Sequence, residues 1–530
     1  MPLQHALAWL RQWWWALLLA VLLPVMVTWP AIDLVSNHVL NRPTDPDLGC
    51  GLWWPEAFAH SVVALENPFF REELAWPYGQ DTRLLLWNFL PQIVMLPLVW
   101  LGRPLAMNAA AFLWPSLNGL ACGWLGWTVS RSRVGVLVGV VAGSTTVYAF
   151  FEGASGRPEQ ALFAPVALYL GAWQLLNQES NRSRQVVAGL ALALAGATYW
   201  FYAYFLILLS PLLARRLRDL VIVGGLSFAF VLPFLLPVAC GLAEADNSYR
   251  MMIETHGDPV ENAIYASVSL DAWLGAFGPA VFDLGSRFSV LTLPLILWGV
   301  WRRQWRLVAL VAVTTILAMG YFLLVHGSPV MWEGRRLWMP MALLRWLPGW
   351  DRFWWPYRWL GLALPAFAGL CAVVARRPWQ GVVLALLLFG ESAWCFRALR
   401  WTHYPAPQEV EDPAVLVPLG DTSNALIGVL VTGTRVDAGL AFNSGPGMRG
   451  AAWEQRRETL PLMVAIHAIQ NGEEVEPLTP QQLAEGGFRS VVVQRAKVGK
   501  EHLQGFESLF GEPVHEGMLV IFELPEPPLE

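Results

Sequence analysis

Residues 101–133 read LGRPLAMNAAAFLWPSLNGLACGWLGWTVSRSR, an apolar run without an acidic residue and with arginine at both ends, at Arg103, Arg131 and Arg133. Lys and Arg stay on the cytoplasmic side of a bilayer. A run with arginine on both flanks therefore predicts two crossings, with Pro115, Asn118 and Gly119 marking the turn between them. Such short helices at membrane depth are tolerated only when packed against other protein.

The same reading extends outward. Arginines recur in every second connector, at Arg103, Arg131/Arg133, Arg182/Arg184, Arg215/Arg216/Arg218, Arg302/Arg303/Arg306 and Arg376/Arg377. At about 20 residues per span, crossings are expected near 12–30, 84–101, 134–151, 158–177, 219–240, 288–301, 307–326, 353–375 and 379–397. The segments 104–130 and 185–214 each cross twice, the latter turning at Tyr199–Tyr204. This gives an all-α polytopic membrane protein of about 13 transmembrane helices, N-terminus inside and C-terminus outside. With 55% hydrophobic and 14% charged residues in 530, the chain is not a soluble globule. The first run, Trp13 to Trp29, reads as a retained span, because no small-residue cleavage site follows it. Trp13–Trp15, Trp53/Trp54 and Trp354/Trp355 fit an interfacial belt.

Of the five cysteines, Cys122, Cys240, Cys371 and Cys395 fall in or beside spans and Cys50 stands outside. Neither a disulfide framework nor a paired-cysteine metal site follows from that. Residues 1–398 form the membrane domain, with an external loop at 31–83, and further loops lie at roughly 242–287 and 327–352. Residues 399–530 form a small C-terminal α/β extracytoplasmic domain. Its strands are expected at Ala425–Val431, Ser490–Gln494 and Met518–Leu524, and its helices near 452–470, 480–485 and 500–510. Thr479-Pro480-Gln481-Gln482 has the composition of a helix start, with Gly486 ending that helix.

Five external groups carry the candidate chemistry. Asp45 and Asp47 follow the first span, where a carboxylate can take a proton from a hydroxyl or hold a divalent cation. The plainer alternative is that Asp47 caps the next helix and Asp45 is solvated. Over 52–65 an amphipathic segment places Trp53, Trp54, Phe58, Val62 and Leu65 on an apolar face, and Glu56 and His60, four apart, on one side. Arg157, Glu159 and Gln160 occupy a turn too short to be a linker, where ionisable residues are either functional or mutually paired. Tyr199 and Tyr202 form an aromatic turn. Arg352 and Arg358 sit at an outward span end, either to bind phosphate with forked donors or to snorkel to headgroups.

This order of first span, acidic external loop, many spans and outer tail resembles the GT-C class of membrane glycosyltransferases and the bacterial membrane proteins related to it. The segments carrying the resemblance are Asp45–Asp47, Trp76-Pro77-Tyr78-Gly79, Gly102–Asn108 and Arg352–Arg358. Pro46 separates the two aspartates, where many members of the class have adjacent carboxylates. The resemblance implies transfer of a sugar from a polyprenyl-phosphate donor to a glycan, lipid or protein acceptor, at the outer face of a bacterial inner membrane. Asp45 or Asp47 would be the base, Arg352 or Arg358 the phosphate ligand, and Glu159 a sugar or metal contact. A divalent metal ion is a possible cofactor, and no nucleic acid is expected as partner. The rival is a non-catalytic scaffold, or a transporter in envelope polysaccharide or lipid handling. Against transport, the sequence shows no internal repeat and few intramembrane acid–base groups.

Overall fold

A computed structural model describes residues 2–29, 34–36, 38–40, 46–68, 70–71, 74, 79–81, 89–244, 259–277, 287–347, 355–397, 401–403, 410–417, 458–495, 498–517 and 519–525. The chain is mostly helical and divides into two compact units. The larger comprises Met1–Pro43, Trp87–Leu236 and His256–His403; the smaller joins Thr44–Leu86 and Pro237–Thr255 to the tail Tyr404–Glu530.

In the larger unit, α1 (Pro2–Thr28) precedes α3 (Phe89–Met95), α4 (Arg103–Ser130), α5 (Arg133–Ser144), α6 (Val147–Ala154), α7 (Pro158–Ala161) and α8 (Ala164–Gln178); α2 (Pro46–Ala64) belongs to the smaller unit. Then come α9 (Arg182–Thr198), α10 (Trp200–Leu213), α11 (Leu217–Glu244), α12 (Pro259–Tyr265), α13 (Thr292–Trp301), α14 (Trp305–Ala318), α15 (Leu360–Val374) and α16 (Pro378–Phe396). Local signals set several boundaries. The Ser132 side chain accepts from Gly135 N to start α5, and Asn181 does the same from Arg184 N for α9. The Thr145 and Thr146 hydroxyls turn back to Val141 O and Ala142 O where α5 gives way to α6. Among the described residues four segments are long and apolar enough to cross a bilayer, Arg133–Ala154, Leu217–Leu236, Pro356–Val374 and Pro378–Phe396.

Two expected spans differ from the helices found. Residues 104–130 form one helix: α4 is 28 residues long and unbroken, because Pro115 is absorbed inside it and Asn118 stays helical. Within 84–101 the described helix is α3, only seven residues, followed by a short 3-10 turn at Val99–Leu101. Seven helical residues span about 10 Å, a third of the ~30 Å hydrocarbon layer. The expected meeting of two helices at Tyr199 does occur, with α9 ending and α10 beginning there.

The packing of α4 on α5 is unusually close. A Cβ on Gly139 would lie 2.3 Å from Cys122 O, one on Gly126 2.2 Å from Gly135 O, and one on Gly143 2.6 Å from Asn118 O. Small residues are what let helix backbones approach in lipid, where dispersion replaces the hydrophobic drive. Trp13, expected at the interface, is 8% exposed and stacks edge-on against Trp127 at 5.2 Å. At one edge of the unit, β1 (His38–Leu40) pairs antiparallel with Trp401–His403. Asn108 Nδ2 donates to Val35 O at 2.8 Å and His38 O at 2.6 Å.

In the smaller unit, a four-stranded sheet is built around Ser490–Gln494, parallel to Ala414–Val417 on one side and antiparallel to Leu519–Glu523 on the other. Helices Pro461–Gln470, Pro480–Ala484 and Lys500–Phe510 accompany it. The Thr479 capping box forms, with Thr479 Oγ accepting from Gln482 N and Gln482 Oε1 from Thr479 N. Gly487, rather than Gly486, adopts the positive φ after that helix. The strand expected at 425–431 lies outside the described residues. On α2, Trp54 and Phe58 are buried as the apolar pattern predicts, but Val62 and Leu65 are exposed. Trp54 is thus a core residue and not a belt residue.

Overpacking the α4–α5 contact is expected to cost about 1–3 kcal/mol or more. Gly139→Leu should lower the thermal unfolding midpoint in detergent clearly, while Gly390→Leu, with nothing within 4 Å of its Cβ position, should not. Equal midpoints would show that the helices do not need this closeness.

Candidate functional site

One end of the larger unit gathers polar side chains from three segments. The first runs from α6 through Ser155-Gly156 to α7. Gly156 takes φ 79°, a left-handed turn that an L side chain resists, and brings Arg157 back beside α6. There Arg157 Nη1 lies 3.0 Å from Glu152 Oε2, with the Glu152 side chain 1% and that of Arg157 20% exposed. From α4, Asn118 Nδ2 donates to Ala161 O at 2.8 Å, fixing the end of α7.

The second segment is the α9–α10 junction. Tyr202 donates its hydroxyl to Gln160 O at 2.6 Å. Its ring lies against α15 at Gly361, where a Cβ would meet the Tyr202 oxygen at 2.4 Å. The third is the turn Pro356–Trp359, held where Tyr357 N donates to Ala266 O and Trp359 stacks on Phe205 at 3.7 Å. The Tyr357 hydroxyl donates to Gln160 Oε1 at 3.2 Å and accepts from Arg157 Nη1 at 3.4 Å. Tyr148 meets Tyr357 edge-on at 6.4 Å.

Arg358 is set differently from Arg157. Its guanidinium carbon lies 4.3 Å from the Trp355 ring centre, 4.8 Å from Phe201 and 5.4 Å from Tyr199. Such a cage stabilises a cation through the negative ring faces. Among the described residues it has no carboxylate partner, and its Nε is buried without an acceptor. The Tyr199 hydroxyl is likewise buried and unpartnered. A tyrosine hydroxyl is a neutral donor, here beside a fixed cation.

Of the residues singled out from sequence, Arg157, Glu159, Gln160, Tyr199, Tyr202 and Arg358 come together here. Glu159 is half-buried and acts electrostatically on Tyr199 and Tyr202. Asp45 and Arg352 lie outside the described residues, and Asp47 is the second residue of α2 with its side chain likewise outside. Glu56, half-buried, and His60, exposed, occupy α2 in the smaller unit. The sequence reading missed Glu152, Tyr148 and Tyr357. A lone acid in Phe150-Phe151-Glu152-Gly153 was a usable signal for the first, whereas tyrosines in apolar runs give none. Tyr148 also walls a cavity of about 60 Å3 with Arg287, Ser289 and Glu391. Glu391 is engaged at the approach to α13, accepting from Ser289 Oγ and Val290 N.

No family model matches the chain, and no curated protein matches it in sequence. Solved structures do match its fold. The apo Archaeoglobus fulgidus oligosaccharyltransferase has a TM-score of 0.50 at 12% identity, over 92% of this chain and 70% of that one. The same enzyme tethered with an acceptor peptide containing the NVT sequon gives 0.50 and 12%, over 92% and 69%. The chain therefore shares the fold of this oligosaccharyltransferase. Its long apolar helices point to a membrane protein.

Removing one partner of a buried ion pair costs about 3–5 kcal/mol, because the other charge loses its compensation. Arg157→Ala is therefore expected to lower the unfolding midpoint markedly, and adding Glu152→Gln should restore part of the loss. If the double variant is no more stable than the single one, the Glu152 charge is not the cause.

Proposed function

We propose that the chain is an inverting glycosyltransferase that takes sugar from a polyprenyl-phosphate carrier at the outer face of a bacterial inner membrane. The observation that carries this reading is the Arg358 cage. A cation with no acidic partner among the described residues, beside a buried phenol donor, suits a phosphate that arrives with the substrate and leaves with the product. The GT-C-type fold supports the same class of chemistry.

In the reaction, Asp45 or Asp47 takes the proton of the acceptor hydroxyl. The acceptor oxygen bonds to the sugar's anomeric carbon as that carbon's bond to phosphate oxygen breaks. The electron pair leaves with the lipid phosphate, whose charge Arg358 and Tyr199 stabilise and Arg352 can supplement. Glu159 and Gln160 orient the sugar; Arg157 and Tyr202 hold Gln160 and its turn in place. Glu56 and His60 are assigned to acceptor contacts. Among the described residues no three acidic, His or Cys groups cluster to hold a metal, and Glu152 is engaged with Arg157.

Purified protein should move label from a polyprenyl-phosphate sugar to acceptor. Asp45→Asn or Asp47→Asn should lower the rate by roughly 10²–10⁴, as for loss of a general base. Arg358→Ala should cost about 10²–10³, and Arg358→Lys should recover little, since an ammonium lacks the planar fork. No transfer by the parent, together with polyprenyl-phosphate binding unchanged in Arg358→Ala, would favour the non-catalytic scaffold.

The proposed orientation has its own test. Alkaline phosphatase joined after Glu530 should be active in the periplasm, and fusions at Arg216 or Arg303 should be inactive, because arginine-rich connectors stay inside. A stable but inactive fusion after Glu530 would reverse the orientation.

A further inference from the structure

Between α14 and α15 the chain builds a lobe that the reactions above do not use. Two hairpins, Leu324–Val325 with Ser328–Pro329 and Met331–Trp332 with Arg335–Arg336, turn at His326-Gly327 and Glu333-Gly334. All four turn residues have positive φ, the conformation that two-residue hairpin turns require. Three residues seven apart then close a ring of backbone bonds: Leu323 N to Leu337 O, Leu337 N to Val330 O, and Val330 N to Leu323 O. Asp271 tethers the lobe, accepting from Ser269 Oγ and His326 N, with His326 Nδ1 3.4 Å away. Burial raises the Asp271 pKa, but these hydrogen bonds prevail and hold the carboxyl below its ordinary value. The lobe is therefore well fixed.

What it fixes is a row of exposed apolar side chains. Trp332 is 68% exposed, Leu343 77% and Trp346 78%, with Met331 and Trp338 also above half. Soluble surfaces avoid such a concentration unless something covers it. Arg335 and Arg345 are exposed among them, and Arg345 lies over the faces of Trp338 and Trp346 at 5.9 and 4.6 Å. Arg336 is paired with Glu261, so Glu333 is the one acid within the hairpins.

We infer that this lobe docks on the surface of the bilayer, its tryptophans and leucine at the headgroup–acyl boundary and its free arginines on lipid phosphates. Trp and Arg in this mixture favour that boundary: the ring has an apolar body, and the guanidinium reaches the phosphates. The excess positive charge complements anionic headgroups. Position agrees, since the lobe starts at Tyr321, three residues beyond the end of α14 at Ala318. Three residues reach at most about 10 Å, which keeps the lobe beside the end of this apolar helix. The inference is independent of the glycosyl-transfer reading.

The full chain, with Cys50 and Cys240 replaced by Ser, would be spin-labelled in turn at Trp332→Cys, Leu343→Cys and Trp346→Cys and placed in nanodiscs containing phosphatidylglycerol. Glu474→Cys on the tail serves as the aqueous reference. At the three lobe positions, collisions with oxygen should exceed those with a water-soluble nickel chelate, and the reverse should hold at Glu474→Cys. Adding Arg335→Glu and Arg345→Glu should move the lobe labels toward the aqueous value, as should neutral lipid. Monodisperse elution of each variant establishes that it is folded. Aqueous behaviour at all three lobe positions in anionic nanodiscs would overturn the inference. So would labels that are aqueous in nanodiscs but immobilised in native membranes, which would assign the surface to a protein partner.

Discussion

Inside a lipid layer two helices gain nothing by hiding leucines from each other, because the surrounding chains are equally apolar. What holds α4 to α5 must then be contact itself, and contact is limited by the widest atoms between the axes. Glycines at 126, 139 and 143 remove those atoms, so peptide groups meet peptide groups. The functional end depends on that contact. From the same α4, Asn118 fixes Ala161 and so the turn carrying Arg157 to Gln160. About three turns nearer its start, Asn108 binds the backbone that leads out of α1.

The arginine pattern made the helical architecture legible, yet misplaced one of its own markers. Arg103 reads as a cytoplasmic residue only if 84–101 crosses. The helix there has only seven residues among the described ones, and α4, the segment read as a pair of short helices, is a single unbroken helix. The unbroken α4 was not visible because proline inside a helix is read as a break, while neighbouring helices in a packed bundle can support the kink.

The site was legible where chemistry announced itself and hidden where packing did the work. Ionisable residues in a tight turn and a run of aromatics between two spans were enough to flag Arg157, Glu159, Gln160, Tyr199 and Tyr202. Tyr357 stood inside a quoted segment but beside two arginines that drew the attention. Nothing in the residue pattern says that Gly361 is missing a side chain in order to seat the Tyr202 ring. Such complementarity is a property of two distant segments and exists only after folding.

Arg157 and Arg358 are held in opposite ways. Both lie at one end of one unit, but Arg157 is neutralised by a carboxylate, and its remaining reach goes to a tyrosine. Arg358 is surrounded by ring faces, which attract positive charge, and among the described residues its buried Nε has no acceptor. A cation stabilised this way is held in position while that donor stays unspent. An arriving phosphate supplies the acceptors without first displacing an internal acid, and the Tyr199 hydroxyl adds a donor that carries no charge of its own. A salt-bridged arginine would have to break its pair before it could do the same, at the cost of leaving a buried carboxylate behind.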